Sequence, residues 1–397
     1  MKTASRQNNT HVLIVTVLLA INPLIGMVVD LIAPSLPSIA GTLSISTSTA
    51  KNLIAIYLIG YAAGNFVTGF LTDALGRKKI LMFDLFGFAL TSLMPIFFPH
   101  YLVLLAARLA QGLLIGSTSV VIRAIFSDVL SANELVKLGT LLGTTWAIGP
   151  VLGPIIGGFL QTYFGWYAVF GFFTIISLLA LGAVMRFIPE THTQRQALHP
   201  QLIVQNLRAV FCHREFIAIS VLMGFVYSIL IVFNALGPFV IQTGMHHTPL
   251  FFGNVAMLMG ILFILGTFVS RYSLKRFQLS SIYQFQTLLI SVVTVICAIW
   301  GIVSVVTLPL ILIATSLSYI SCAMLFPMST GKGLTYFRHI AGTASALMFL
   351  IAYGIASLCS WMASLIRLSS GLPLLVYYAV ASCICLLIYR RYLSKMA

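Results

Sequence analysis

The sequence predicts an all-α polytopic membrane protein: twelve transmembrane helices arranged as two pseudo-symmetric six-helix halves. Three observations predict it. Only 7% of the 397 residues are charged, 60% are apolar, and the mean hydropathy is +1.06; a soluble protein carries roughly 25% charge. The apolar residues fall into runs long enough to cross a bilayer, which takes about 20 residues per helix. The basic residues sit in the short loops between those runs, and the longest polar stretch lies midway along the chain.

The runs in order are 12–33, 48–72, 79–98, 101–127, 134–161, 165–188, 215–241, 248–270, 281–303, 306–331, 338–364 and 371–390. Lipid offers backbone groups no hydrogen-bond partner, so each run must satisfy its own amides as a helix. The short alternating segments of a membrane barrel are absent. The first run follows Lys2 and Arg6, exceeds signal-peptide length and shows no small-residue cleavage site, so it reads as a retained span. The polar stretch divides the chain into residues 1–188, a cytoplasmic linker 189–214, and residues 215–397. Internal duplications of this kind form a substrate cavity between their halves.

With both termini in the cytoplasm, eighteen Lys and Arg fall on that side and only Lys51 and Arg367 on the other. Such a bias fixes orientation. It also explains the net charge of +15 without a nucleic-acid partner. Five of the six cysteines lie within apolar stretches and none forms a Cys-x-x-Cys pair, so they read as small packing residues. No metal and no cofactor are expected.

Seven acids remain to be placed. Asp73, Glu134, Glu190 and Glu215 lie in or beside cytoplasmic loops, Asp128 closes the fourth span, and Asp84 lies early in the third, within reach of the interface. Asp30 is deep in the first span. A carboxylate there costs a few kcal/mol on insertion scales and needs a polar cavity or a cation. Arg108, in the fourth span, falls at similar depth and is its expected partner. Asn22 lies eight residues before Asp30 and Gln111 three after Arg108, so each shares a helix face with its neighbour. If the first and fourth spans adjoin, the four form one cavity wall. An acid able to lose a proton beside a base suits proton coupling, and Asp30 with Arg108 is the expected coupling pair.

The loop after the second span reads Gly69-Phe-Leu-Thr-Asp73-Ala-Leu-Gly76-Arg77-Lys78-Lys79. It resembles the signature loop of the major facilitator superfamily, with Ala74 where the family usually has a basic residue. The resemblance implies a latch of Gly69, Asp73, Gly76, Arg77 and Asp128 that closes the cytoplasmic side. Arg77 would pair with Asp128, and Asp73 would meet a helix N-terminus in the other half. Arg108-Leu-Ala-Gln111-Gly112 resembles a motif of the proton-coupled drug exporters. Gly149-Pro150-Val-Leu-Gly153-Pro154-Ile-Ile-Gly157-Gly158 resembles the antiporter motif of the fifth span, although Thr140 stands where an earlier family glycine is found. Small residues four apart let helix backbones approach. Asp30-Leu-Ile-Ala-Pro34-Ser-Leu-Pro37, Arg123-Ala-Ile-Phe-Ser-Asp128 and Gly237-Pro238-Phe239-Val-Ile-Gln242 are similar to the Bcr/CflA drug-resistance transporters.

What the resemblance implies is a proton-coupled exporter of small amphipathic compounds or drugs, working by alternating access in a bacterial inner membrane. An endogenous metabolite such as a siderophore, amino acid or sugar is the alternative cargo, and a proton-coupled importer fits the fifth span less well. The second half has no membrane acid, so its cavity wall is expected from Tyr227, Asn234, Met257, Phe326 and Met348. No His cluster, acid pair or nucleophile with a base lies in the spans, and a central loop of about 25 residues leaves little room for a soluble domain, so enzyme activity is not expected. The expected partners are a small-molecule substrate, protons and the bilayer, with the protein as a monomer.

Overall fold

The computed structural model describes residues 2–130, 132–191, 200–337, 340–366 and 370–394. The side chains of Asp73, Lys2, Arg6 and Lys137 are not among the described ones, and Arg195, Arg338, Arg367 and Lys395 lie outside the described residues. Twelve helices are long and apolar enough to cross a membrane. The first half comprises α1 (Lys2–Ile32) with the short α2 (Leu36–Thr42), α3 (Thr47–Leu75), α4 (Arg77–Phe97), α5 (Tyr101–Val129), α6 (Ala132–Phe164) and α7 (Trp166–Phe187). An amphipathic helix α8 (Pro200–Phe211) precedes the second half: α9 (Arg214–Pro238), α10 (Pro249–Arg276), α11 (Leu279–Val303), α12 (Leu308–Thr335), α13 (Ala341–Ser364) and α14 (Leu372–Ile388).

The expected runs match the observed spans in number and order; α10 runs six residues past the expected end, to Arg276, and the first and seventh spans are extended by a different kind of helix. The first span continues past residue 33 through a 3-10 turn, Ala33–Ser35, into α2. Pro34 and Pro37 do not stop it, because each occupies a first-turn position whose N–H has no intrahelical acceptor. The seventh span continues as a π-helical turn, Phe239–Gly244. Gln242 Nε2 there donates to Pro34 O at 3.0 Å, so the two extensions meet across the halves.

Two seams join the halves, α3 against α13 and α6 against α10. The second also involves α1, and its chemistry begins with two prolines. Pro150 and Pro154 have no N–H, so the carbonyls one turn earlier, Trp146 O and Pro150 O, lose their helical partners. A glycine of another helix faces each one. A Cβ at Gly26 in α1 would collide with Trp146 O, and one at Gly260 in α10 would fall 2.7 Å from Pro150 O. Gly149 and Gly153 press on Gly26, Met27 and Asp30 of α1, Gly157 on Leu31 O, and Gly158 on Pro249 O of α10. α6 thus touches both halves at backbone distance.

The α3–α13 seam is mixed. Gly69 sits where a Cβ would lie 3.4 Å from that of Ala346. Ser357 Oγ donates to Ala55 O at 2.8 Å, Ser364 Oγ to Asn52 Oδ1 at 2.7 Å, and Lys51 Nζ to Ile366 O at 3.0 Å. Lys51, one of the two outer cations in the sequence, is fully buried.

The same small change at two glycines tests the close contact. Gly157→Ala places a Cβ against Leu31 O and is expected to cost about 1–3 kcal/mol, read as a lower Tm in detergent. Gly171→Ala, with nothing within 4 Å of the new Cβ, is expected to leave Tm unchanged or slightly raised.

Candidate functional site

At the meeting of the halves, α1 carries Asp30 and α9 carries Asn234. Asn234 Nδ2 donates to Asp30 Oδ1 at 2.9 Å. Both residues are buried, and the Asn234 carbonyl oxygen has no hydrogen-bond partner. Trp146 and Pro150 of α6, Tyr227 of α9, Phe263 of α10 and Tyr319 of α12 complete the wall around them. The space enclosed is about 10 Å³, the room for one water molecule. The site is therefore closed around its polar pair.

Arg108 is not in contact with Asp30, contrary to the sequence expectation. The guanidinium lies over the Tyr57 ring, 4.3 Å from its centroid, and donates to Gln111 Oε1 at 3.0 Å and Leu53 O at 3.3 Å. A planar delocalised cation gains from such stacking where a lysine would not. Gln111 Nε2 continues to Ser92 Oγ of α4 at 2.9 Å. Tyr57 is within electrostatic reach of both Arg108 and Asp30, and its hydroxyl and Arg108 Nη2 are buried without hydrogen-bond partners. Asn22 is not on this wall either: its Nδ2 donates at 2.8 Å to Leu142 O and to Thr145 Oγ1 of α6. The four expected wall residues thus occupy three separate settings.

Of the expected second-half wall, Tyr227 and Asn234 line the space. Phe326 stands behind Tyr227, ring centroids 5.4 Å apart. Met257 is half-buried on α10, outside the wall. Met348 packs in the cytoplasmic core of the second half with Met223 and Phe216. Sequence reasoning missed an aromatic chain that crosses the halves: Tyr61 meets Tyr353 at 4.7 Å, and Tyr353 meets Tyr227 at 5.3 Å. Aromatics near midspan were its one signal.

Arg123 was assigned no contact from the sequence. Its Nη2 donates to Asn65 Oδ1 at 3.0 Å, and its guanidinium lies 5.1 Å from the Phe349 ring of α13. It therefore bridges the halves on the cytoplasmic side of the polar pair.

Where α4 begins and α5 ends the expected ion pair is present: Arg77 Nε lies 2.6 Å from Asp128 Oδ2. The start of the linker braces it. Glu190 Oε1 accepts the Arg77 backbone N–H at 2.9 Å, and Thr191 Oγ1 donates to Asp128 Oδ2 at 2.9 Å. Glu190 thereby places negative charge at the N-terminus of α4, where the helix dipole favours it. Gly76 takes φ +92, and a Cβ there would sit 2.8 Å from Glu190 Oε2, so this turn requires glycine on two counts. In the second half a phenol and a carboxylate join the end of α12 to the start of α9. Tyr336 Oη donates to Glu215 Oε2 at 2.6 Å; burial, with the adjacent carboxylate, holds this phenol above its ordinary range.

Residues 18–389 match the family described as Major Facilitator Superfamily. A bicyclomycin resistance protein homolog of Haemophilus influenzae is 28% identical over 68% of this chain and 69% of its own length. The multidrug resistance protein MdtL of Shewanella oneidensis is 26% identical over 89% of both. Among solved structures, a D-xylose-proton symporter superposes with a TM-score of 0.76 over 98% of both chains at 16% identity, a likeness of fold.

The braced latch makes a prediction. Asp128→Asn removes the charge that both Arg77 and Thr191 contact. Hydrogen–deuterium exchange is expected to quicken several-fold in the Gly76–Ile80 turn and at residues 189–191. Unchanged exchange at both places would show the latch to be held by other contacts.

Proposed function

The chain belongs to the major facilitator superfamily, and on that premise we propose that it is a proton-coupled antiporter that exports small amphipathic compounds, antibiotics among them, by alternating access. The observation that carries this reading is the Asp30–Asn234 hydrogen bond, which ties a membrane acid of one half to the other half. A charge-assisted bond is roughly twice as strong as a neutral one. Protonating Asp30 from the outer side therefore weakens the tie and frees the halves to rock. Release of that proton inward restores it. Arg108, stacked on Tyr57 and bonded to Gln111, leaves the carboxyl to Asn234.

The cargo class follows from the wall. Trp146, Tyr227, Phe263 and Tyr319 present apolar faces around one amide and one carboxyl, and such surfaces suit ligands with an apolar body and a few polar groups. The unpartnered Asn234 Oδ1 is the acceptor that a substrate donor would use. The names of the bicyclomycin-resistance and multidrug-resistance relatives point the same way. The twelve spans among the described residues and the bacterial relatives support a multi-pass protein of the inner membrane, and the distribution of basic residues supports cytoplasmic termini.

Proteoliposomes with an imposed pH gradient, screened against antibiotics and lipophilic dyes, test the reading. Asp30→Asn is expected to abolish gradient-driven efflux while the protein still reaches the membrane. Efflux by Asp30→Asn at the wild-type rate would overturn the coupling role.

A further inference from the structure

The sequence left Asp84 with access to the membrane interface. The structure buries it. It is 3% exposed and lies on the face of α4 that packs against α5, seven residues from the helix start, hence about 10 Å inward from the cytoplasmic end. Ser117 and Thr118 of α5 are the groups that approach its carboxyl, and its Oδ2 has no hydrogen-bond partner.

No cation among the described residues pairs with it. On α4, Arg77 is engaged by Asp128, Lys78 donates to Met185 O, and Lys79 is exposed. On α5, Arg108 is turned to Tyr57 and Gln111, and Arg123 to Asn65. α7 meets this part of α4 with Ser177, which donates to Leu85 O at 2.7 Å, while its ionisable Tyr167 and Arg186 stand at its two ends. α3 offers Asn65, already held by Arg123. An unpaired carboxylate at such depth is expensive, whereas the neutral acid is tolerated.

We propose that Asp84 is a second proton-binding site, loaded when the cytoplasmic latch is closed and emptied into the cytoplasm when it opens. The inference rests on the proton-coupled reading above but concerns a different carboxyl. Asp84 lies behind the Arg77–Asp128 pair, in the cytoplasmic half of the helix bundle, whereas Asp30 sits mid-span and is tied to the second half. Parting of α4 from α5 once the Arg77–Asp128 pair breaks hydrates Asp84, and water stabilises its charged form. The proton leaves as the carboxylate forms and returns on closure, so Asp84 makes the closed-inside state more favourable as the cytoplasm acidifies.

Infrared difference spectroscopy on the full chain in liposomes, without substrate, tests this. The pH is stepped from about 9 to about 5, across the neutral range and down to just above the ordinary carboxylate values. The wild type is expected to show two pH-responsive C=O bands of protonated carboxyls. Asp84→Asn is expected to delete one and Asp30→Asn the other. A wild-type spectrum from Asp84→Asn overturns the proposal. A wild-type spectrum from Asp30→Asn, with the Asp84 band lost in Asp84→Asn, overturns the coupling role of Asp30 and leaves this site standing. Should Asp84→Asn fail to fold, the double variant Ser117→Ala/Thr118→Val keeps both carboxyls and is expected to shift the Asp84 band alone; no shift overturns the assignment.

Discussion

The structure depends on carbonyl oxygens meeting glycines. Apolar helices in lipid gain little by burying apolar surface against one another, so they associate through close packing. α6 achieves this twice. Its prolines free Trp146 O and Pro150 O, and Gly26 of α1 and Gly260 of α10 receive them. One helix is thereby held in its own half and pressed against the other half by the same device. Without side chains to interlock, such a seam permits sliding and tilting that interdigitated leucines would resist.

The hydrogen bonds between the halves, among the described residues, are individually weak, Ser364 to Asn52 being one. Ser357 to Ala55 O, Lys51 to Ile366 O, Gln242 to Pro34 O and Asn234 to Asp30 are single hydrogen bonds, each worth about 0.5–1.5 kcal/mol net, more for the charged ones. They are spread from the outer ends to the polar pair, and Arg123 over Phe349 continues them inward. A seam of this kind has no single strong bond to break. It can open from one side while the other side stays joined, as alternating access requires.

Much of this was legible in the sequence, for definite reasons. Helix count and limits followed because lipid permits no other spanning form. The exceptions at Pro34 and Phe239 are places where a chain continues as a different helix. Arg77 with Asp128 was legible because both lie at helix ends, where position along the span fixes the membrane face. Asp30 with Arg108 was not. Residue counting along a span gives an approximate depth, which shifts when the span runs on, as the first does to Thr42, and it does not give rotation about the helix axis. The ring of Tyr57 and the amide of Gln111 turn Arg108 toward α3 and α4. Met348 failed similarly: a flexible apolar side chain suits a cavity or a core equally, and here it fills a core. Asn234 was found because a polar amide in an otherwise apolar span must have a partner. Glu190 was counted as a loop charge because nothing local marks a cap formed over more than a hundred residues.

That cap has a mechanical consequence. Glu190 and Thr191 fasten the beginning of the linker to α4 and α5, while α8 at its far end packs on α13 and α9 of the second half. Between Thr191 and Pro200 lie eight residues, whose full extension is about 30 Å. Asp128 is thus shared: it holds Arg77 and, through Thr191, the beginning of the linker, so any change that frees its carboxylate acts on the ion pair and the linker anchor together.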